Sequence, residues 1–181
     1  MSKFLFDYMK REQMNFCISL IEASFIKNIG KLDYEYESKK ISAPPWSWFN
    51  QENLYFYTLK EDNLIIAYVI WRIKNNISHL HSFLVSAEFQ RQGIGKILLK
   101  QYEEKSKQIN PNIQIFTLHT YDDTKYNHIF YSKSGYKKYK KHDENKITCL
   151  TSWIENCKTF NDWPLRDNKV LFYKHSKQNT N

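Results

Sequence analysis

The spacing of hydrophobic positions changes along the chain, and each change marks an element. Phe16, Leu20, Ile21, Phe25 and Ile29 recur at roughly helical intervals with no proline nearby, which predicts a helix over residues 4–29 closed by Gly30. Residues 31–53 lose that period, and Pro45 biases Pro44 away from helix, so a loop is expected. Its Trp46, Trp48 and Phe49 have two readings, packing beneath the loop or lining a substrate mouth. Residues 54–59 and 64–73 are rich in β-branched and aromatic side chains and flank Lys60-Glu61-Asp62-Asn63, a hairpin signal. Asn75-Asn76 makes the next turn, and residues 77–85 form a third strand of an antiparallel meander.

A polar turn with two glycines follows, and then the period becomes helical. Ile94, Ile97, Leu98, Tyr102 and Ile109 mark an apolar stripe, while Lys96, Lys100, Glu103, Glu104 and Lys107 lie mostly elsewhere, up to Asn110-Pro111. Residues 113–119 read as a buried strand, and a strand, helix, strand unit predicts parallel pairing with a right-handed crossover. Asp122, Asp123 or Thr124 caps a second helix carrying Tyr126, Ile129, Phe130 and Tyr131 and ending at Gly135. Beyond it, residues 136–139, 147–150 and 170–173 are candidate strands, residues 153–160 a short helix, and Asn161-Asp162-Trp163-Pro164 a turn.

Composition bounds these elements. With 181 residues and no linker or repeat, residues 1–181 are expected to form a single domain with a substantial core. A net charge of +8 suits an anionic partner such as nucleic acid, anionic membrane or a phosphorylated cofactor. The densest basic run, Lys137-Lys138-Tyr139-Lys140-Lys141, lacks any accompanying nucleic-acid motif and reads as a solvated loop or strand end, so nucleic acid is not the expected partner. Cys17, Cys149 and Cys157 are odd in number and contain no CxxC pair, which argues against a disulfide framework or structural zinc and for a reducing, cytoplasmic setting. Charges at Lys3, Asp7, Lys10, Arg11 and Glu12 interrupt any signal peptide, and the longest apolar run, residues 64–71, is too short to span a membrane.

The turn before the long helix carries the chemistry. Backbone N–H groups at a helix start are unpaired and sit at the positive end of its dipole, so a strand, glycine turn and helix form an anion cradle. A Rossmann fingerprint needs glycine where this chain has Leu98. A P-loop needs glycine at Gln90 and Ser or Thr at Ile97. What remains is Gln-x-x-Gly-x-Gly, made by Gln90, Gly93 and Gly95.

With that motif the chain resembles the GCN5-related N-acetyltransferase (GNAT) superfamily. Phe130-Tyr131-x-Lys133-x-Gly135-Tyr136 matches the superfamily's later signature, and the likeness spans roughly residues 15–140 in element order. The resemblance implies an α/β fold with a mixed, largely antiparallel sheet flanked by helices and splayed between two parallel central strands. It implies that acetyl-CoA lies in that cleft, with amides from Gln92, Gly93, Ile94, Gly95 and Lys96 on the pyrophosphate. Backbone groups of Leu84 and Val85 would pair with the pantetheine amides, and Arg91 and Lys96 would add positive charge. One position departs: the family often has Asn seven residues before the helix tyrosine, where this chain has Thr124, and Asn127 is out of phase and takes no role.

Acetylating an amine poses two proton problems. A free alkylamine, with pKa of about 10.4, must lose a proton before attack, and a thiolate leaving group, of pKa about 8.5, is aided by a proton donor. Tyr131 matches the superfamily's general-acid tyrosine; a packed aromatic is its other reading. His79-Leu80-His81 is similar to the arylalkylamine N-acetyltransferases, where two strand histidines relay a proton, and residues i and i+2 share one strand face. Phe83 and Val85 share that face too, so either a bulge re-aims the histidines or they are hydrogen-bonded core residues. Zinc is not expected, because His119 is the only evident further ligand. The expected function is direct acetyl transfer to a small arylalkylamine or polyamine. The alternatives are a protein N-terminus or lysine as acceptor, and a non-enzymatic module binding CoA or nucleic acid. Monomer and homodimer both remain open.

Overall fold

The structure, a computed structural model, describes residues 3–17, 19–20, 51–122, 124–140 and 169–176. It opens on a strand where a helix was expected. Phe4–Tyr8 form β1, paired antiparallel with β2 (Leu54–Glu61) in a register running from Phe4↔Glu61 to Tyr8↔Tyr57. The helical stripe begins only at Phe16, so residues 4–8 have no helical face to bury. Phe4, Phe6 and Tyr8 suit a pleated surface, and β2 supplies a ladder for their backbone groups. A single 3₁₀ turn, Arg11–Gln13, follows, with the Lys10 N–H donating to Gln13 Oε1 at 2.9 Å. Helix then begins at Met14 and is described at residues 14–17 and 19–20. Its expected end at Gly30, the 31–50 part of the loop, the 147–150 strand, the 153–160 helix and the 161–164 turn lie outside the described residues, as do Cys149 and Cys157.

The meander is present as expected. β2 pairs antiparallel with β3 (Leu64–Lys74), with a register shift at Leu59/Lys60. Asp62 and Asn63 between them both have positive φ, 48° and 68°, as do Asn75 and Asn76 before β4 (Ile77–Val85), at 49° and 62°. Two consecutive left-handed residues match the twist of flanking strands, and Asn tolerates them better than most side chains do. Helix α1 (Ile94–Ile109) leads to β5 (Ile115–Tyr121), two residues later than the sequence predicts. Helix α2 (Lys125–Lys133), β6 (Lys137–Lys138) and β7 (Lys169–His175) complete the described elements. Among the described residues the strands form a seven-stranded, mostly antiparallel sheet in the order β1-β2-β3-β4-β5-β7-β6, with one parallel pair and flanking helices.

Two compact units divide these elements. The first holds β1 to β3, residues 80–85 of β4, and α1. One sheet face there carries Tyr55, Tyr57 and Trp71, and α1 lies on it with Tyr102 edge-on to Trp71 at 5.4 Å. Ile94, Leu98, Tyr102 and Ser106, four residues apart, form the buried line of α1 together with Leu99; Ile97 and Ile109 are only partly buried. The opposite strand parity buries Phe56, Tyr68 and Ile70 with Met9, Met14 and Cys17. Burial pushes the Cys17 thiol up to about 12, so it stays protonated at neutral pH. Emptying a fully buried position such as Leu98 by substitution to Ala costs about 2–5 kcal/mol.

The second unit holds residues 77–79 of β4 with β5, α2, β6 and β7. Gln114 N–H donates to Asn76 O at 2.8 Å, and β5 pairs antiparallel with β7 from Ile115↔His175 to Tyr121↔Lys169. Phe116, Leu118 and Phe172 are its buried centre. The Thr124 hydroxyl turns back to Tyr121 O at 3.0 Å instead of capping α2. Asn127 Nδ2 donates to Thr120 Oγ1 at 2.9 Å, and His128 Nε2–H to Tyr121 O at 3.1 Å, which ties the start of α2 to the end of β5.

Candidate active site

Val85 ends β4, and the chain then makes a 3₁₀ turn, Ala87–Phe89, anchored by Ser86 N–H to Ile66 O at 2.8 Å. Two glutamine side chains hold the polar turn in shape. Gln90 Nε2 donates to Val85 O at 3.0 Å, and Gln92 Nε2 to Glu88 O at 2.9 Å. Gln90 thus fastens the turn to the strand end through its side chain. Arg91, at φ 63°, and Gly93, at φ 83°, are both left-handed, and Gly93 is the residue from which α1 starts. Arg91, Gln92 and Lys96 are exposed.

The first turn of α1 has the properties an anion needs. Lys96 and Ile97 N–H both bond to Gly93 O, at 3.0 and 3.2 Å. Those of Ile94 and Gly95 find no backbone acceptor among the described residues, no side chain caps the helix, and no acidic residue lies in its first turn. A Cβ built on Gly93 would meet no atom within 4 Å, so glycine is not required there by packing. The residues present fit a pyrophosphate: free amides at the positive end of a sixteen-residue helix, open space over Gly93, and two cationic side chains.

Tyr131 sits in the second unit. It is 8% exposed, and its ring meets Phe130 at 5.1 Å, Tyr136 at 5.9 Å and Phe172 at 6.1 Å. Burial raises its phenol pKa, so the group stays protonated through the neutral range. The local fold explains the motif around it. Gly135, at φ 89°, ends α2, and Tyr136 N–H then reaches back to Tyr131 O at 3.0 Å. The Phe-Tyr to Gly-Tyr signature is therefore one helix end, folded so that Tyr131 is clamped between aromatic rings.

The two histidines fall in different units. His79 is 7% exposed; its Nδ1 lies 2.8 Å from Thr117 Oγ1, and its ring meets that of His119 edge-on at 5.2 Å. His81 is half-buried on the part of β4 that belongs with the first unit, as do Leu84 and Val85. Sequence reasoning did not find Thr117 as a partner. Its signal was present: Thr117 and His119 have the same two-residue spacing as His79 and His81, on the strand expected to run parallel to theirs. Among the described residues no group of three or more His, Cys, Asp or Glu is placed to hold a metal ion, and no helix is long and apolar enough to cross a membrane.

Comparison with known proteins bears on the same elements. No curated protein sequence matches the chain. Solved structures share its fold at low identity, three of them as follows. The PaiA N-acetyltransferase from Thermoplasma acidophilum, solved in complex with coenzyme A, has TM-score 0.69 and 16% identity, covering 97% of this chain and 100% of that one. A chimeric spermidine N-acetyltransferase from Vibrio cholerae and hSSAT has TM-score 0.64 and 12% identity, covering 96% of each chain. A ribosomal-protein alanine N-acetyltransferase from Escherichia coli has TM-score 0.55 and 12% identity, covering 95% of this chain and 93% of that one. Residues 19–136, well over half the chain, match the Acetyltransferase (GNAT) family, from the first described helix through both glycine motifs. The chain therefore belongs to the GNAT family and is an acetyl-CoA-dependent N-acetyltransferase.

Proposed function

We propose that the protein, acting as one domain over residues 1–181 in a reducing cytoplasm, transfers an acetyl group from acetyl-CoA to a small primary amine of the arylalkyl or polyamine kind. The observation that carries the cofactor half is the open, uncapped start of α1 at left-handed Gly93. The amides of Ile94 and Gly95 hold the pyrophosphate, with Gln92, Gly93 and Lys96 completing the cradle and Arg91 and Lys96 adding charge. Gln90 keeps the turn closed on Val85. The backbone of Leu84 and Val85 pairs with the pantetheine amides. The free, buried thiol of Cys17 suits a reducing compartment.

Bound acetyl-CoA supplies the activated acetyl group. His79, with His81 beside it on β4, takes the proton that an alkylammonium must lose, which frees the lone pair to form the new C–N bond. Tyr131 holds its phenolic proton for the sulfur as the C–S bond breaks, and the second N–H proton of the former amine restores the phenol. Atoms balance as amine plus acetyl-CoA giving amide plus CoA thiol.

The acceptor assignment rests on the histidine-bearing strand, and the spermidine enzyme among the structural neighbours is consistent with it. The alanine acetyltransferase neighbour points to the rival acceptor, a protein N-terminus. Thiol release from acetyl-CoA, followed with phenethylamine, spermidine and N-terminal and lysine peptides, separates them. Turnover with a small amine is the expected result; turnover with peptides alone overturns the acceptor, and CoA binding without turnover on any acceptor overturns the reaction.

A further inference from the structure

We propose that Thr117 and His119 complete the proton path that begins at His79, with Thr117 as its positioning residue. This rests on the acetyl-transfer reading above and adds two β5 side chains to it. Three features of the second unit support it. His79 is more than nine-tenths buried yet has a hydroxyl at hydrogen-bond distance, 2.8 Å from Nδ1. Thr117 is itself fully buried, so this contact fixes the imidazole ring within the sheet. His119 meets the His79 ring at 5.2 Å and is partly exposed, which gives the buried imidazole a neighbour with access to water.

The chemistry of a hydroxyl makes Thr117 suited to a base that must cycle. A threonine Oγ1 both donates and accepts. It donates to the bare Nδ1 of one neutral tautomer, or accepts from Nδ1–H of the other and of the imidazolium. The contact therefore survives proton uptake and release, with only the hydroxyl rotating. With Nδ1–H on Thr117, Nε2 carries the lone pair that takes the ammonium proton. That proton then leaves His79 for the His119 imidazole and passes from there to water. Two imidazolium rings this close repel, which favours passing the proton on over storing a second one. No bond other than N–H and O–H bonds changes in these steps.

The experiment compares Thr117→Val, which keeps the shape and removes the hydroxyl, with Thr117→Ser, which keeps the hydroxyl. A positioned base contributes about 10²–10⁴-fold. Loss of its support is expected to lower kcat about tenfold or more in Thr117→Val, with KM for acetyl-CoA within about twofold, while Thr117→Ser stays near wild type. His119→Gln is expected to lose kcat and to regain part of it in added imidazole. Nitrogen-15 NMR of the histidine rings, recorded with CoA bound, gives a readout that needs no acceptor. The His79 signals should move in Thr117→Val and not in Thr117→Ser. Identical His79 signals in wild type and Thr117→Val, or equal kcat in an active pair, overturns the proton path alone. A wild type that neither binds CoA by calorimetry nor releases thiol overturns the acetyl-transfer reading instead.

Discussion

Two glycine motifs, one at the start of α1 and one at the end of α2, set the same backbone conformation in opposite surroundings. Gly93 and Gly135 are both left-handed, at φ 83° and 89°. At Gly93 the direction a side chain would take is open, and what the turn presents is main chain: amides at a helix start. At Gly135 a Cβ would sit 3.6 Å from Lys174 Cε, in ordinary packing, and what the turn presents is a side chain, the clamped Tyr131 ring. The first glycine faces open space and the second faces packed side chain.

Substitutions can break this contrast. The largest effect is expected from Gly93→Val. A β-branched side chain at positive φ costs on the order of 1–3 kcal/mol, and it would fill the open space over Gly93 where the pyrophosphate is proposed to lie. Calorimetry should show acetyl-CoA affinity reduced about a hundredfold or more, corresponding to about 2.7 kcal/mol at 25 °C; affinity equal to wild type removes the cradle. Next comes Tyr131→Phe, which keeps the packed ring and loses the phenolic proton. Its kcat should fall about a hundredfold while acetyl-CoA affinity changes by less than about twofold, and unchanged kcat in a steady-state assay would end the acid role. The smallest effect belongs to Gly135→Ala. With contact at an ordinary distance, only backbone strain of about 1 kcal/mol opposes it. A thermal melt should shift down by about 2–4 °C with CoA affinity retained. If that variant loses CoA affinity instead, the contrast between the two glycines does not hold.

The comparison also separates what each kind of signal carries. The strand, turn and helix around Gly93 were legible in the sequence because they are local: strand, glutamine-bearing turn, Gly93 and helix are continuous from Leu84 to Leu98, and the physics of a helix start needs no distant partner. The meander was legible for the same reason, since Asp62-Asn63 and Asn75-Asn76 set their own turns. β1 was misread because residues 4–8 are strand only by virtue of β2, whose partners Glu61 to Tyr57 lie more than forty residues away in the chain. The aromatic residues of that stretch suit a strand, and the helical period that starts at Phe16 does not extend back over them.

Sequence by itself determined the family and the local elements on either side of Gly93, together with the helix end that carries Tyr131. Those follow from spacing within a single turn of chain, where backbone geometry is set by neighbouring residues. Tertiary structure decided which side chains keep His79 company. The two-residue spacing of His79 and His81 suggested a partnership along one strand, yet the partners that β5 brings to His79 are Thr117, at 2.8 Å, and His119. Adjacent strands place side chains within hydrogen-bond reach across the ladder, whereas residues two apart on one strand are separated by roughly 6.6 Å of rise. Chemistry that needs contact between side chains is therefore written in strand register, and register is settled only when the sheet forms.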